Sequence, residues 1–227
     1  MERLRFAFAS CQDQQEGHWT AHEHLAAEEL DLVFFLGDYI YEDDPTTDAV
    51  RPGLRRPGSL EASDATWNVL AQRVVMTRLA LVPGTDDLFN LDQWDSYPAG
   101  RQRVIDLLRE VSNPVVITGD IHMSGLGVVT EDGSDPTTAP VAAELVGTSI
   151  SSSFPAAYVD AIGAIATASP AVHYAEARHR GYVVVEVTTD ELRADYRYVS
   201  TTAEPQAEVS TGASWRVRAG NPVPEQV

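Results

Sequence analysis

The chain has no lysine: all sixteen of its basic residues are arginine. That absence excludes P-loop and kinase phosphate chemistry, Schiff-base chemistry and any lysine general base. A single cysteine, Cys11, excludes internal disulfides, zinc fingers and thiolate-held iron–sulfur clusters. Long hydrophobic runs are missing too. The longest apolar stretch, Leu32 to Leu36, has strand length, far below the ~18 residues of a membrane span. Met1-Glu-Arg-Leu-Arg5 runs straight into Phe6-Ala-Phe-Ala9, too short for the ~7–15 residue apolar core of a signal peptide. As written, the sequence reads as cytoplasmic. Positive charge is scarce: thirty-four acids against sixteen bases leave a net charge of −18. Such a surface repels nucleic acid and anionic lipid, so neither nucleic acid nor a membrane is expected as a partner. A small phosphorylated substrate remains compatible, because a bound metal reverses the local sign. Carboxylate, histidine, tyrosine, serine or metal chemistry is what is left.

Against those absences stands an ordinary globular composition, 44% apolar and 22% charged over 227 residues, enough for one large domain with a core. Leu4 to Ser10 alternates as a strand. His18 to Leu30 reads as a helix with Ala21, Leu25, Ala26 and Leu30 near one face, and Leu32 to Leu36 as a buried parallel strand. This is a βαβ unit, whose active groups sit past the carboxyl ends of the strands. Asp43 to Ser63, with three prolines and two glycines, reads as an irregular connection. Ala65 to Met76 fits a helix or a helix passing into a strand. Pro98 to Val111 reads as a helix presenting Val104, Leu107, Leu108 and Val111, and Val115 to Ile117 as a short buried strand. Strands are expected at 127–129, 141–146, 182–187 and 192–198, and an alanine-rich helix at 155–168. Residues 1–203 are expected to form a single domain, with 204–227 a loose tail holding Trp215 alone among core-type residues.

Three strand ends carry possible metal donors: Ser10-Cys11-Gln12, Gly37-Asp38-Tyr39-Ile40-Tyr41 and Gly119-Asp120-Ile121-His122. Asp is a hard oxygen ligand and His a nitrogen ligand, and a tyrosinate or thiolate needs a strong Lewis acid to stay ionised. Each motif alone is most simply a turn; three at matching strand ends ask for more. Six segments then resemble the alkaline phosphatase D (PhoD-like) phosphatases in family order. They are Phe6 to Gln12, Leu36 to Glu42, Asp92 to Pro98 with Arg101-Gln-Arg103, Asn113 to His122, Leu145 to Ser152, and Arg178 to Tyr182.

The resemblance implies an α/β metallophosphoesterase-type sandwich of two mixed β-sheets flanked by helices, hydrolysing phosphate monoesters or diesters with Fe3+ and Ca2+. It implies Cys11, Asp38, Tyr41, Asp120 and His122 as metal ligands, with Asp38, Asp120 and His122 catalytic and Asp120 facing the second metal. Ser149, Arg178 and Arg180 are candidates for substrate binding. Members of the family are usually exported and carry an amino-terminal β-domain. They also have, after Gly-Asp-x-x-Tyr, a longer segment with an Asp-Asp-His-Glu-like motif that serves the second metal. Here only Asp43 to Ser63 fills that place, without an Asp-His-Glu or Asn-His string. A compact variant, an internally deleted form and a fragment all fit that gap, and a catalytically impaired or inactive remnant is the alternative function. Oligomeric state is not legible.

Simpler readings stand beside these. His18 and His22, spaced i and i+4, fit surface histidines. Arg178-His179-Arg180 fits pairing with nearby carboxylates. Gly147-Thr-Ser149-Ile-Ser151 lacks the closing glycine of a nucleophile elbow. Asp92, Trp94, Asp95 and Tyr97 fit a capped turn with aromatic packing.

Overall fold

The computed structural model describes residues 3–12, 18–37, 65–79, 93–153, 157 and 159–227. In chain order these form β1 (Leu4–Ala9), α1 (Thr20–Ala27), β2 (Leu32–Phe35), β3 (Asn68–Ala71), a 3-10 turn (Trp94–Ser96), α2 (Pro98–Leu108), β4 (Pro114–Thr118), β5 (Ser124–Thr130) and β6 (Pro140–Val146). α3 (Val159–Thr167), β7 (Val172–Glu176), β8 (Gly181–Val187), β9 (Glu191–Val199), β10 (Val209–Arg218) and β11 (Asn221–Gln226) follow. The strands build a six-stranded sheet, β11-β10-β9-β8-β1-β2, and a five-stranded sheet, β3-β4-β6-β5-β7. Both are mixed. β1 runs parallel to β2 and antiparallel to β8, while β4 runs parallel to β3 and β6.

Period-two alternation creates the layers. In β1, Phe6 and Phe8 point between the sheets while Ala7 and Ala9 point outward beneath α1. In β8, Val183 and Val185 face inward and Tyr182 and Val184 outward. In β4, Val115 and Ile117 join the central core, whereas Val116 meets Ile105 and Leu108 of α2. Full burial of a side chain such as Phe8 contributes roughly 1.5–3 kcal/mol. The result is helix on sheet on sheet on helix, the sandwich that the sequence led us to expect.

Several local expectations fail for identifiable reasons. β2 is parallel to β1 but forms the sheet edge, and Leu32, Val33 and Phe35 stay 46%, 38% and 41% exposed; a buried strand was expected there. Residues 65–76 contain no helix: β3 is followed by irregular backbone whose N–H groups bond to side chains. α2 buries Arg101, Ile105 and Leu108, and Leu107 faces solvent. The expected tail is a hairpin, β10–β11, at the end of the six-stranded sheet. Ala213, Trp215 and Val217 alternate into the core there, a period-two pattern hidden among serine, threonine and arginine. The connection at 43–63 lies outside the described residues.

Candidate active site at the converging strand ends

The carboxyl ends of β1 and β4, which belong to different sheets, are stitched together by backbone. Ser10 forms an isolated parallel bridge with Ser149. The Ile150 N–H donates to the Ser10 carbonyl at 2.8 Å, and the Gly147 N–H to the Thr118 carbonyl at 2.8 Å. Ser10 Oγ donates to the Thr148 carbonyl at 3.3 Å and accepts from the Asp120 N–H at 3.4 Å. Side chains are excluded from this junction. A Cβ on Gly119 would lie 2.2 Å from the Leu36 carbonyl oxygen, and one on Gly37 (φ +140°) 2.7 Å from Cys11 Sγ. Glycine at both Gly-Asp strand ends is therefore a packing requirement.

Just past these ends the backbone turns left-handed at three non-glycine residues, Cys11 (φ 51°), Asp120 (φ 70°) and His122 (φ 55°). Such residues cost about 1–3 kcal/mol each and cluster at functional sites. The turns bring the Cys11 thiol to 4.0 Å from Asp120 Oδ1, with Cys11 buried. The same Oδ1 accepts from Arg73 Nε at 2.9 Å; the Arg73 side chain is 58% exposed and that of Asp120 14%. Donors sharing one ion with bonds of about 2.0–2.3 Å sit roughly 3–4 Å apart, so the Cys11–Asp120 spacing suits a common metal ion. Among the described residues no three His, Cys, Asp or Glu side chains gather at such a spacing. Asp38 and Tyr41 lie outside the described residues.

The other expected residues surround this pair differently. His122 is half-buried, and its carbonyl accepts from Arg180 Nη1 at 2.6 Å. Arg180 is itself buried, and Nη1 also donates to Ser149 Oγ at 3.0 Å and to the Ser152 carbonyl at 2.7 Å, while Nη2 donates to the Ala177 carbonyl. Ser149 is fully buried with its hydroxyl donating to the Ser152 carbonyl. Arg180 and Ser149 thus tie the 149–152 loop to the His122 turn. Arg178 stands apart, exposed and ion-paired with Asp160. His22 Nε2 donates to Gln12 Oε1 at 2.8 Å, and burial pushes its pKa down; the i, i+4 partner His18 is exposed.

Arg73 belongs to irregular segment 72–79, which is fastened by side chains. The Val75 N–H donates to Gln93 Oε1 at 2.7 Å. The Met76 and Thr77 N–H groups donate to the two oxygens of Glu144 at 2.8 and 2.6 Å, and Thr118 Oγ1 donates to Glu144 Oε1 at 3.2 Å. Glu144 lies in the middle of β6 and is wholly buried; desolvation raises its pKa, opposed by these hydrogen bonds. Beside it Arg101 pairs with Asp95 at 2.7 Å, their side chains 2% and 4% exposed, and donates to the Met76 carbonyl at 3.3 Å. The described part of the Asp92-to-Pro98 motif thus clamps segment 72–79 through Gln93 and the buried Asp95 side chain, while Tyr97 and Pro98 are exposed; the capped turn expected there is not formed, since neither the 3-10 turn nor α2 has a side-chain cap, and Asp92 lies outside the described residues.

The family model for PhoD-like phosphatases matches residues 6–59 and 56–196. The chain belongs to that family. It is 36% identical to alkaline phosphatase D of Bacillus subtilis (strain 168) over 160 residues, 69% of this chain but only 27% of that protein's length. The solved structure of PhoD superposes with a TM-score of 0.81 at 24% identity, covering 100% of this chain and 72% of the other, and shares the two-sheet fold.

Two residues that organise this site escaped the sequence reading. Glu144 had a usable signal, since a carboxylate inside the apolar run Val141 to Val146 has to be paired once buried. Arg73 had none, because an arginine after Gln72 at a strand end looks like any solvated residue.

Proposed function

We propose that the chain is a metal-dependent phosphoesterase that hydrolyses phosphate monoesters, with diesters as the second substrate class. Membership of the PhoD-like family supports a phosphoric ester hydrolase. The observation that carries the reading is the Cys11–Asp120 pair, held at 4.0 Å by left-handed turns on the ends of two different sheets. Cys11 and Asp120 would hold the metal, Fe3+ on the thiolate side, joined by His122 and, on the family resemblance, by Asp38 and Tyr41. When bound, such a cation supplies Lewis acidity to water and to the phosphoryl oxygens. Arg180 orients the His122 turn, and Ser149 locks the neighbouring loop. The resemblance would also turn Asp120 toward Ca2+, and any cation on Asp120 would share its Oδ1 with the Arg73 guanidinium.

The test is hydrolysis of p-nitrophenyl phosphate at mildly alkaline pH with iron and calcium supplied, beside a chelated control. Chelator-sensitive turnover, abolished by Asp38→Asn and by Asp120→Asn, is expected. A folded sample without turnover would move the assignment to an inactive remnant of the fold, the reading favoured by the missing Asp-His-Glu string.

A further inference from the structure

We propose that segment 72–79 is a proton-latched arm: the buried Glu144 carboxyl holds it closed, and loss of the Glu144 proton loosens the arm and, with it, the contact between Arg73 and Asp120. The inference goes beyond the phosphoesterase reading and stands without it. Four N–H groups of this irregular chain are held by side chains in place of a strand ladder. Val75 donates to Gln93 Oε1 at 2.7 Å and Leu79 to Asp95 Oδ2 at 3.5 Å, while Met76 and Thr77 donate to the two oxygens of Glu144 at 2.8 and 2.6 Å. Half of that fastening rests on one carboxyl. At the other end the Arg73 carbonyl accepts from the Gly119 N–H at 3.2 Å, and Arg73 Nε donates to Asp120 Oδ1 at 2.9 Å. The arm therefore joins Glu144 directly to the strand end that carries Asp120.

Glu144 is fully buried, and among the described residues no cation pairs with it. Arg101 of α2 reaches the Met76 carbonyl but is neutralised by Asp95 at 2.7 Å. Arg73 and Arg78, on the arm itself, donate to Asp120 and to the Ser134 carbonyl. From the six-stranded sheet the titratable group is Tyr196, whose hydroxyl donates to the Gly125 carbonyl and keeps its proton through burial. A protonated Glu144 retains all three of its contacts, because Thr118 Oγ1, 3.2 Å from Oε1, accepts a proton as readily as it donates one. An ionised Glu144 leaves a charge in the interior without a counter-ion, and its burial outweighs the hydrogen bonds it receives. Opening the arm lets water reach the carboxylate and returns its pKa to the ordinary range. The closed arm is thus favoured at low pH and progressively less so as pH rises toward the folded pKa.

The experiment is hydrogen exchange of the whole chain by NMR from about pH 5 to 8, read as protection factors so that the intrinsic base catalysis of exchange is divided out. The reporters are the N–H groups of Met76, Thr77 and Gly119 and the Trp94 indole N–H, which donates to Gln72 Oε1 at 3.0 Å beside Arg73. All four should be less protected than Val184 in the middle of β8, and should together lose at least about tenfold in protection as pH rises, the worth of one pKa unit. In Glu144→Gln, which does not titrate, the same groups should show protection that does not change with pH. Equal protection at Met76, Thr77 and Val184 would mean that the segment opens only with the whole fold, and overturns the arm. Protection independent of pH in the wild type, or a loss at Met76 and Thr77 that spares Gly119, overturns the latch. Should Glu144→Gln fail to fold, the wild-type series alone decides between these results. Turnover is not measured, so failure of the phosphoesterase reading leaves the test intact.

Discussion

Arg180 and Arg73 bracket the strand ends and differ in almost every respect. Arg180 is buried at the start of β8, and its guanidinium donates to the carbonyls of His122, Ser152 and Ala177 and to the Ser149 hydroxyl. Arg73 is mostly exposed on irregular backbone and donates to the Asp120 carboxylate. Burial and partner type divide their work. An arginine wrapped in carbonyls holds a loop in shape, whereas one that meets solvent beside a carboxylate offsets the charge of that carboxylate. Segment 72–79 keeps Arg73 in place because Glu144, Gln93 and the Asp95–Arg101 pair fasten its irregular chain.

Breaking the support should hurt more than breaking what it supports. Asp95→Ala, which leaves the Arg101 cation buried without its carboxylate, is expected to cost about 3–5 kcal/mol in denaturant unfolding. A loss below about 1 kcal/mol would show the clamp to be solvated. Arg180→Ala should cost about 2–4 kcal/mol, since two buried carbonyls and the half-buried one of His122 lose a donor. Equal melting curves for Arg180→Ala and Arg73→Ala would erase the distinction drawn above.

Glu144→Gln sharpens the comparison through pH. Burial raises the folded pKa of Glu144 above the ordinary carboxylate range. Its contribution is therefore fully present below the unfolded pKa and lost as pH rises through the folded one. The Gln variant does not titrate, so the stability of wild type relative to the variant should fall as pH climbs from about 4 toward neutrality. A difference independent of pH would mean that the carboxyl keeps one protonation state throughout. The smallest effect belongs to Arg178→Ala. Its pair with Asp160 is exposed, and its removal should change stability by less than about 0.5 kcal/mol and leave KM unmoved. A rise in KM would restore Arg178 as a substrate contact.

Where the sequence held an apolar run or an alternation rich in apolar residues, the fold was legible: β1, β4, β6, β8 and β9 all fall on runs read as strands. β10 and β11 were not, because Trp215 and Val217 are separated by arginine in a stretch rich in small polar residues. The placing of Cys11, Asp120 and His122 just past strand ends was legible from sequence, since each follows an apolar strand run. The 72–79 segment was not. Its hydrogen-bond partners, Gln93 and Glu144, lie 18 and 68 residues from the N–H groups they hold, at Val75 and Met76, and no local period encodes a bond of that kind.

The decisive step is to measure iron per chain and visible absorption on wild type, Cys11→Ser and Asp120→Asn prepared alike. If the two sheets meet in a single metal site, the wild type holds ferric iron with a thiolate or tyrosinate band, and each variant loses both. Variants that keep wild-type iron content and colour would mean that Cys11 and Asp120 are packing residues at a strand junction and no metal centre lies between them.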